Sequence, residues 1–189
     1  HLRTSKAIVG GTKNIKFDVI LALNPDLIIC NKEENTKEIV EQLSAICPVW
    51  VTDILTVEDN LKMIYDFGEL FNRRSEAQQW ILKIENAQQD FEAFIKGKVI
   101  KKVAYFIWAN PYMVAGNGTF INELLKLNHF HNIYECKEGR YPAVDLEKII
   151  SEGNPDYVLL SSEPFPFNEE HGSEIKRFTL QSKIIFRSE

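Results

Sequence analysis

Asn24-Pro25-Asp26-Leu27-Ile28-Ile29 returns as Asn154-Pro155-Asp156-Tyr157-Val158-Leu159, at an offset of 130 residues. In each copy the Asn-Pro-Asp turn precedes an unbroken apolar run, which reads as a strand buried on both faces. A short apolar helix pattern precedes each turn, Phe17-Asp18-Val19-Ile20 in one case and Leu146-Glu147-Lys148-Ile149 in the other. A glutamate follows each strand, Glu33 and Glu163, again 130 apart. Turn chemistry alone favours Asn and Pro; matching flanks on both sides point to a duplicated helix–turn–strand unit. A period that long, occurring twice, excludes a solenoid.

The segments around the two copies extend the same pattern. Asp26–Cys30 reads as a strand. Asn35–Ala45 reads as a helix, with Ile39, Val40 and Leu43 at helical spacing and Asn35 or Thr36 as its cap. Val49-Trp50-Val51 follows Pro48 as a second strand. This β-α-β rhythm predicts a parallel sheet covered by helices. Thr56 and Asp59 form a capping box for a helix reaching about Leu70, and Ser75 with Gln78 forms another for a helix running to about Lys96. Ala77, Trp80, Ile81, Ile84, Ala87, Phe91, Phe94 and Ile95 recur at three- and four-residue steps on the second helix, and Gly97 stops it. About 22 residues give roughly 33 Å, enough to bridge two lobes. Lys101–Trp108 begins a strand, Thr119–Leu127 and Leu146–Ile150 read as helices, and Tyr157–Leu160 is the repeated strand. The expected fold is α/β, with two Rossmann-like lobes and mostly parallel sheets, joined by one long backbone helix. The expected divisions are residues 1–72, 73–97 and 98–189, and ligands favour the cleft of such an arrangement.

The chain has 189 residues, 44% hydrophobic and 26% charged, with a formal charge of -5. That charge argues against nucleic-acid binding, which favours a basic face. No apolar run approaches the roughly 20 residues of a membrane span. Cys30, Cys47 and Cys136 are widely spaced without a CxxC; Cys30 and Cys47 read as small buried hydrophobes. Four histidines, with His129 and His131 two apart, make a poor metal set. Ser161-Ser162 lacks the GxSxG elbow, and Val9–Lys13 fails the GxGxxG pattern and reads as a turn. Glu33 and Glu163 would act as an acid–base pair only if the lobes brought them together.

The loops after the strands are more informative. Trp108-Ala109-Asn110-Pro111-Tyr112-Met113, Arg140-Tyr141-Pro142 and Glu163-Pro164-Phe165-Pro166-Phe167 are each aromatic and stiffened by proline. Such loops bind flat or bulky ligands at low entropic cost; the same aromatics could equally pack beneath their loops.

Gly10-Gly11-Thr12-Lys13, Asp18 and Leu23-Asn24-Pro25-Asp26-Leu27-Ile28 resemble the first lobe of class III, helical-backbone substrate-binding proteins of ABC importers. Asn110-Pro111, Gly118-Thr119-Phe120-Ile121, Arg140-Tyr141-Pro142-Ala143-Val144 and Asn154-Pro155-Asp156 are similar to its second lobe. The resemblance covers nearly the whole chain and is nearest to the cobalamin and iron–siderophore receptors. It implies a binding protein without catalysis of its own, capturing cobalamin, a ferric siderophore or haem as cargo and holding no intrinsic cofactor or metal. It implies ligand contacts near Thr12, Met113 and Tyr141, to which Trp108 and Tyr112 are added on chemical grounds. Asp18 and Glu147 stand where the family presents its acidic docking residues to the membrane permease subunits. The role implies a monomer in the periplasm or at the cell surface. Relatives begin before the Gly-Gly-Thr segment and extend past the point matching Glu189, so the chain is expected to be short at both ends. The other reading is a soluble corrinoid-handling protein or enzyme on the same scaffold.

Overall fold

A computed structural model of the chain describes residues 2–186 and divides it into two compact units, His1–Ile54 and Leu55–Glu189. The first unit holds the helices α1 (Leu2–Ser5) and α2 (Phe17–Leu23), strand β1 (Ile28–Asn31), helix α3 (Lys37–Ser44) and strand β2 (Val49–Thr52). β1 and β2 pair in parallel with Ile28 opposite Val49. Ile20, Cys30 and Leu43 form the buried core, with Phe17, Ile39 and Val40 packed against it. Thr36 caps α3 by accepting the Ile39 N–H, and Asn24 ends α2 in the left-handed region at φ 47°. Cys47 differs from expectation: beside Pro48 at the mouth of β2 it is only half-buried.

The second unit begins with α4 (Val57–Leu70) and α5 (Arg74–Ile95), which pack on each other. Thr56 and Asp59 close the expected capping box on α4. The box expected at Ser75 is absent. α5 starts two residues earlier than a Ser75 cap would place it, after Asn72 turns the chain at positive φ, so Ser75 lies inside the helix and the N-cap residue Arg73 makes no side-chain cap bond. The buried and half-buried positions of α5 run 77, 81, 84, 88, 91, 95. Trp80 and Phe94, expected in the core, fall one position off this stripe and are 59% and 65% exposed. Each is covered by a lysine instead, Lys83 over Trp80 at 4.7 Å and Lys98 over Phe94 at 4.0 Å.

The remainder of the unit is a five-stranded sheet with flanking helices. In chain order come β3 (Lys101–Trp108), β4 (Met113–Val114), α6 (Phe120–Leu127), β5 (Phe130–Asn132), a 3₁₀ turn (Leu146–Lys148), α7 (Ile149–Glu152), β6 (Tyr157–Leu160), α8 (Glu169–Phe178) and β7 (Lys183–Phe186). The sheet order is β4-β3-β6-β7, with β5 also on β3; every pairing is parallel except β3 with β4. The expected Leu146–Ile150 helix is thus a 3₁₀ turn running into α7. Ala104, Phe106, Val114, Tyr134, Ile149, Val158, Leu160 and Ile175 build the core. Asn154 holds φ 50°, repeating Asn24. The Asp156 carboxylate accepts the Lys102 N–H at 2.8 Å while its own N–H donates to the Lys102 carbonyl. The second Asn-Pro-Asp turn therefore also sets the register of β6 on β3.

Candidate functional site

In both units the candidate residues gather where parallel strands end, the usual ligand edge of open α/β sheets. In the first unit Gly10 takes φ 107° and pairs with Ile15, and the Asn14 N–H donates to the Gly11 carbonyl. The Val9–Lys13 segment is thus a hairpin turn, as its sequence suggests. The turn is clipped to the loop after β1. Thr12 Oγ1 donates to Glu34 Oε2 at 3.0 Å, Asn35 Nδ2 donates to the Thr12 carbonyl at 3.0 Å, and Lys13 Nζ donates to the Glu33 carbonyl at 3.3 Å. Asn31 shapes that loop, accepting the Glu33 N–H at 2.8 Å. Thr12 is exposed, but its hydroxyl already has a carboxylate partner.

In the second unit β3 and β6 run in parallel, with Phe106 opposite Leu160, so the loops after Trp108 and Leu160 leave the same sheet edge. They meet there. Trp108 is 40% exposed and packs edge-on against Phe165 at 5.4 Å between ring centres. Phe165 lies 4.9 Å from Phe167 and 5.0 Å from His171. Phe167 stacks on Tyr112 at 6.5 Å and 15°. The Tyr112 hydroxyl donates to Glu174 Oε2 at 2.6 Å, bolting the β3–β4 turn to α8. Partial burial, and then the Glu174 carboxylate, raise the Tyr112 phenol well above its ordinary range.

Met113 and Tyr141 lie on a neighbouring strip. Met113 bridges to Ala143, the Val144 N–H donates to the Tyr112 carbonyl, and the Val114 N–H donates to the Pro142 carbonyl. Residues 140–144 therefore run alongside β4, and four of the expected ligand residues (Trp108, Tyr112, Met113 and Tyr141) share one neighbourhood. Thr12 belongs to the other unit. Gly116 is needed for this close approach: a Cβ there would lie 2.9 Å from the Gly139 carbonyl oxygen. Beneath the strip, buried Asn132 donates to the Ala115 carbonyl at 2.8 Å and to Asn122 Oδ1 at 2.9 Å.

His171 was not among the expected ligand residues. It takes the third helical position of a capping box, with Nδ1 accepting the Asn168 N–H at 3.3 Å. The familiar box signature has Glu or Gln in that place, so the sequence pattern passes over it. Asp18 and Glu147 are both exposed in the first turn of the helix leading to an Asn-Pro-Asp turn, Glu147 with its N–H held by Asp145 at 3.0 Å. Glu163 is exposed and Glu33 half-buried. Among the described residues no cluster of three or more His, Cys, Asp or Glu is placed to hold a metal ion, and no helix is long and apolar enough to cross a membrane.

A family model described as periplasmic binding protein matches residues 2–184. The chain belongs to this family. Among relatives, the vitamin B12-binding protein of Salmonella typhimurium is 23% identical over 155 residues, covering 81% of this chain and 58% of that protein. The chain thus spans under two thirds of the length of the curated relatives it matches. The periplasmic vitamin B12 binding protein of Vibrio cholerae shares the fold with a TM-score of 0.80 at 16% identity, over 99% of this chain and 74% of that one. The periplasmic heme binding protein of the same organism gives 0.77 at 20% identity, over 97% and 76%. These likenesses establish the mixed α/β fold with parallel-dominated sheets, and the family is one of binding proteins.

Proposed function

We propose that the chain is the ligand-capturing component of an ABC importer, taking up a metal chelate of the cobalamin, ferric siderophore or haem kind and carrying out no bond-making chemistry on it. The observation that carries this reading is the convergence of Trp108, Tyr112, Phe165 and Phe167 at the carboxyl edge of β3 and β6, in a chain that belongs to the periplasmic binding proteins. Met113 and Tyr141 on the adjoining strip, and Thr12 in the first unit, are the further contacts. Thr12 acts through the loop it shares with Glu34 and Asn35. The names of the relatives, which bind vitamin B12 or haem, support the ligand class.

Asp18 and Glu147 are the docking points for the permease subunits, where exposed carboxylates meeting arginines would fix orientation by charge-assisted pairs. The protein works as a monomer, in the periplasm or at the cell surface. Titration with cyanocobalamin, haemin and ferric siderophores, read by tryptophan emission and melting temperature, tests the ligand part. At least one should quench emission saturably and raise the melting temperature; a panel with no response refutes the reading. Asp18→Lys with Glu147→Lys should abolish association with the cognate permease and leave ligand affinity unchanged. Loss of both, or of neither, would contradict the docking assignment.

A further inference from the structure

We propose that Trp108, Phe165, Phe167 and His171 form a ligand wall selective for an uncharged or cationic chelate, and that anionic chelates are turned away. The proposal rests on the reading above and narrows its ligand by charge.

The four rings form one connected set, with centre-to-centre distances of 4.9 to 5.5 Å between neighbours. Contacts within the set are edge-on, the packing that aromatic rings prefer over a face-to-face sandwich. Trp108, 40% exposed, offers the largest face. Phe167 is backed by Tyr112, whose hydroxyl is committed to Glu174. Tyr112 is therefore a positioning residue that holds the wall.

The charges on the two loops and the helix that carry the wall have one sign up to Ile175. Residues 161–175 contain Glu163, Glu169, Glu170 and Glu174 and neither Lys nor Arg. The loop from Ala109 to Met113 has no charged residue. Lys176 and Arg177 lie in the last turn of α8, away from the rings, and Lys176 donates to the Ser182 carbonyl. Arg140 lies beside Gly116 and Gly118, next to Ala115, the residue after β4, whose N–H donates to the Tyr105 carbonyl. The amino end of α8 would ordinarily attract an anion. Here Asn168 takes the N–H groups of Glu170 and His171, and the first-turn carboxylates of Glu169 and Glu170 cancel the positive end. What remains is aromatic surface framed by carboxylates, which attracts cations through ring faces and charge and repels anions.

Two charge-matched ligand series test this. One is a linear ferric trishydroxamate carrying a free ammonium group, compared with its N-acetyl and N-succinyl derivatives. The other is cyanocobalamin compared with its monocarboxylic acid. Affinities are read by tryptophan quenching at low and high salt. In the series that binds, the anionic member should be weaker by about tenfold at low salt, and the gap should shrink at high salt. The exposed pair Glu163→Gln and Glu170→Gln should narrow the gap several-fold, while Trp108→Ala should weaken all members alike. Equal or tighter binding of the anionic member, or a gap unchanged by the glutamine pair, overturns the charge selectivity while leaving the receptor reading standing. Binding of haemin, anionic through its two propionates, when neither series binds also overturns the charge selectivity; no binding by any member, haemin included, refutes the receptor reading itself and this inference with it.

Discussion

Asn132→Leu should destabilise the second unit by several kcal/mol although the two side chains share the same branching and heavy-atom count. Asn132 is 2% exposed. Its amide nitrogen donates to the Ala115 carbonyl at 2.8 Å and to Asn122 Oδ1 at 2.9 Å, and its Oδ1 accepts the Tyr134 N–H at 3.1 Å. Asn122 is fully buried and Tyr134 nearly so, so no water replaces what the leucine removes. Stranding a buried polar group costs about 1–3 kcal/mol, and three groups with partial relaxation give a loss of about 4 kcal/mol. With a urea slope of about 2 kcal/mol/M, the midpoint should fall by about 2 M. Urea unfolding followed by circular dichroism and tryptophan emission measures it. Asn132→Asp gives a control with a sign. It keeps the acceptor for Tyr134 but sets a carboxylate oxygen against two acceptors, so near neutral pH it should be at least as damaging, and acid should recover part of the loss. A loss under about 1 kcal/mol for Asn132→Leu, or an aspartate variant that improves as pH rises, would refute the assignment of this triad as the brace beneath β4.

Three further outcomes follow from particular contacts. Burial, and then the nearby Glu152 carboxylate, raise the Tyr134 phenol above its ordinary range. Its contribution is therefore complete below the unfolded value near pH 10 and is lost as pH climbs toward the folded one. Relative to Tyr134→Phe, the wild type should lose about 1 kcal/mol between about pH 10 and 11; parallel stability curves would contradict this. Thr56→Ala removes one half of the α4 capping box and should cost about 1 kcal/mol in urea unfolding. Gly116→Ala places a Cβ against the Gly139 carbonyl and 3.2 Å from Pro142 Cδ. It should cost about 1–3 kcal/mol and weaken ligand binding by shifting the strip that carries Tyr141, whereas unchanged affinity would separate that strip from the site.

The strands that carry the site were legible because parallel strands are written as unbroken apolar runs, even in the first unit, where Ile29 and Val51 are 43% and 36% exposed. Ile28–Cys30, Val49–Val51 and Tyr157–Leu160 stand out against their turns for that reason. The repeated Asn-Pro-Asp was legible as chemistry too, since asparagine tolerates the left-handed conformation that both Asn24 and Asn154 adopt. β5 was not, because three residues with one apolar side chain carry no local pattern, and β7, though apolar, stands outside the repeated unit and is set by its pairing with β6. α8 was hidden by its composition: seven of its ten residues are Glu, His, Ser, Lys or Arg, and its cap uses a histidine. Trp80 and Phe94 misled because hydrophobicity marks them as core, while their lysine neighbours make a solvent-side position tolerable. For the candidate site, aromatic residue types and proline-stiffened loops located the ring cluster. That Trp108 and Phe165 touch could not be read from positions 57 apart in the chain; the parallel pairing of β3 with β6 decides it. Nor could the commitment of the Tyr112 and Thr12 hydroxyls to Glu174 and Glu34.

The most direct test of the account is the emission of Trp108 during titration with cyanocobalamin, haemin and a ferric trishydroxamate, recorded in a Trp50→Phe, Trp80→Phe background. Saturable quenching by at least one chelate, abolished by Trp108→Phe, is the predicted result. Emission that none of the three alters would contradict the assignment of this aromatic edge as a ligand site.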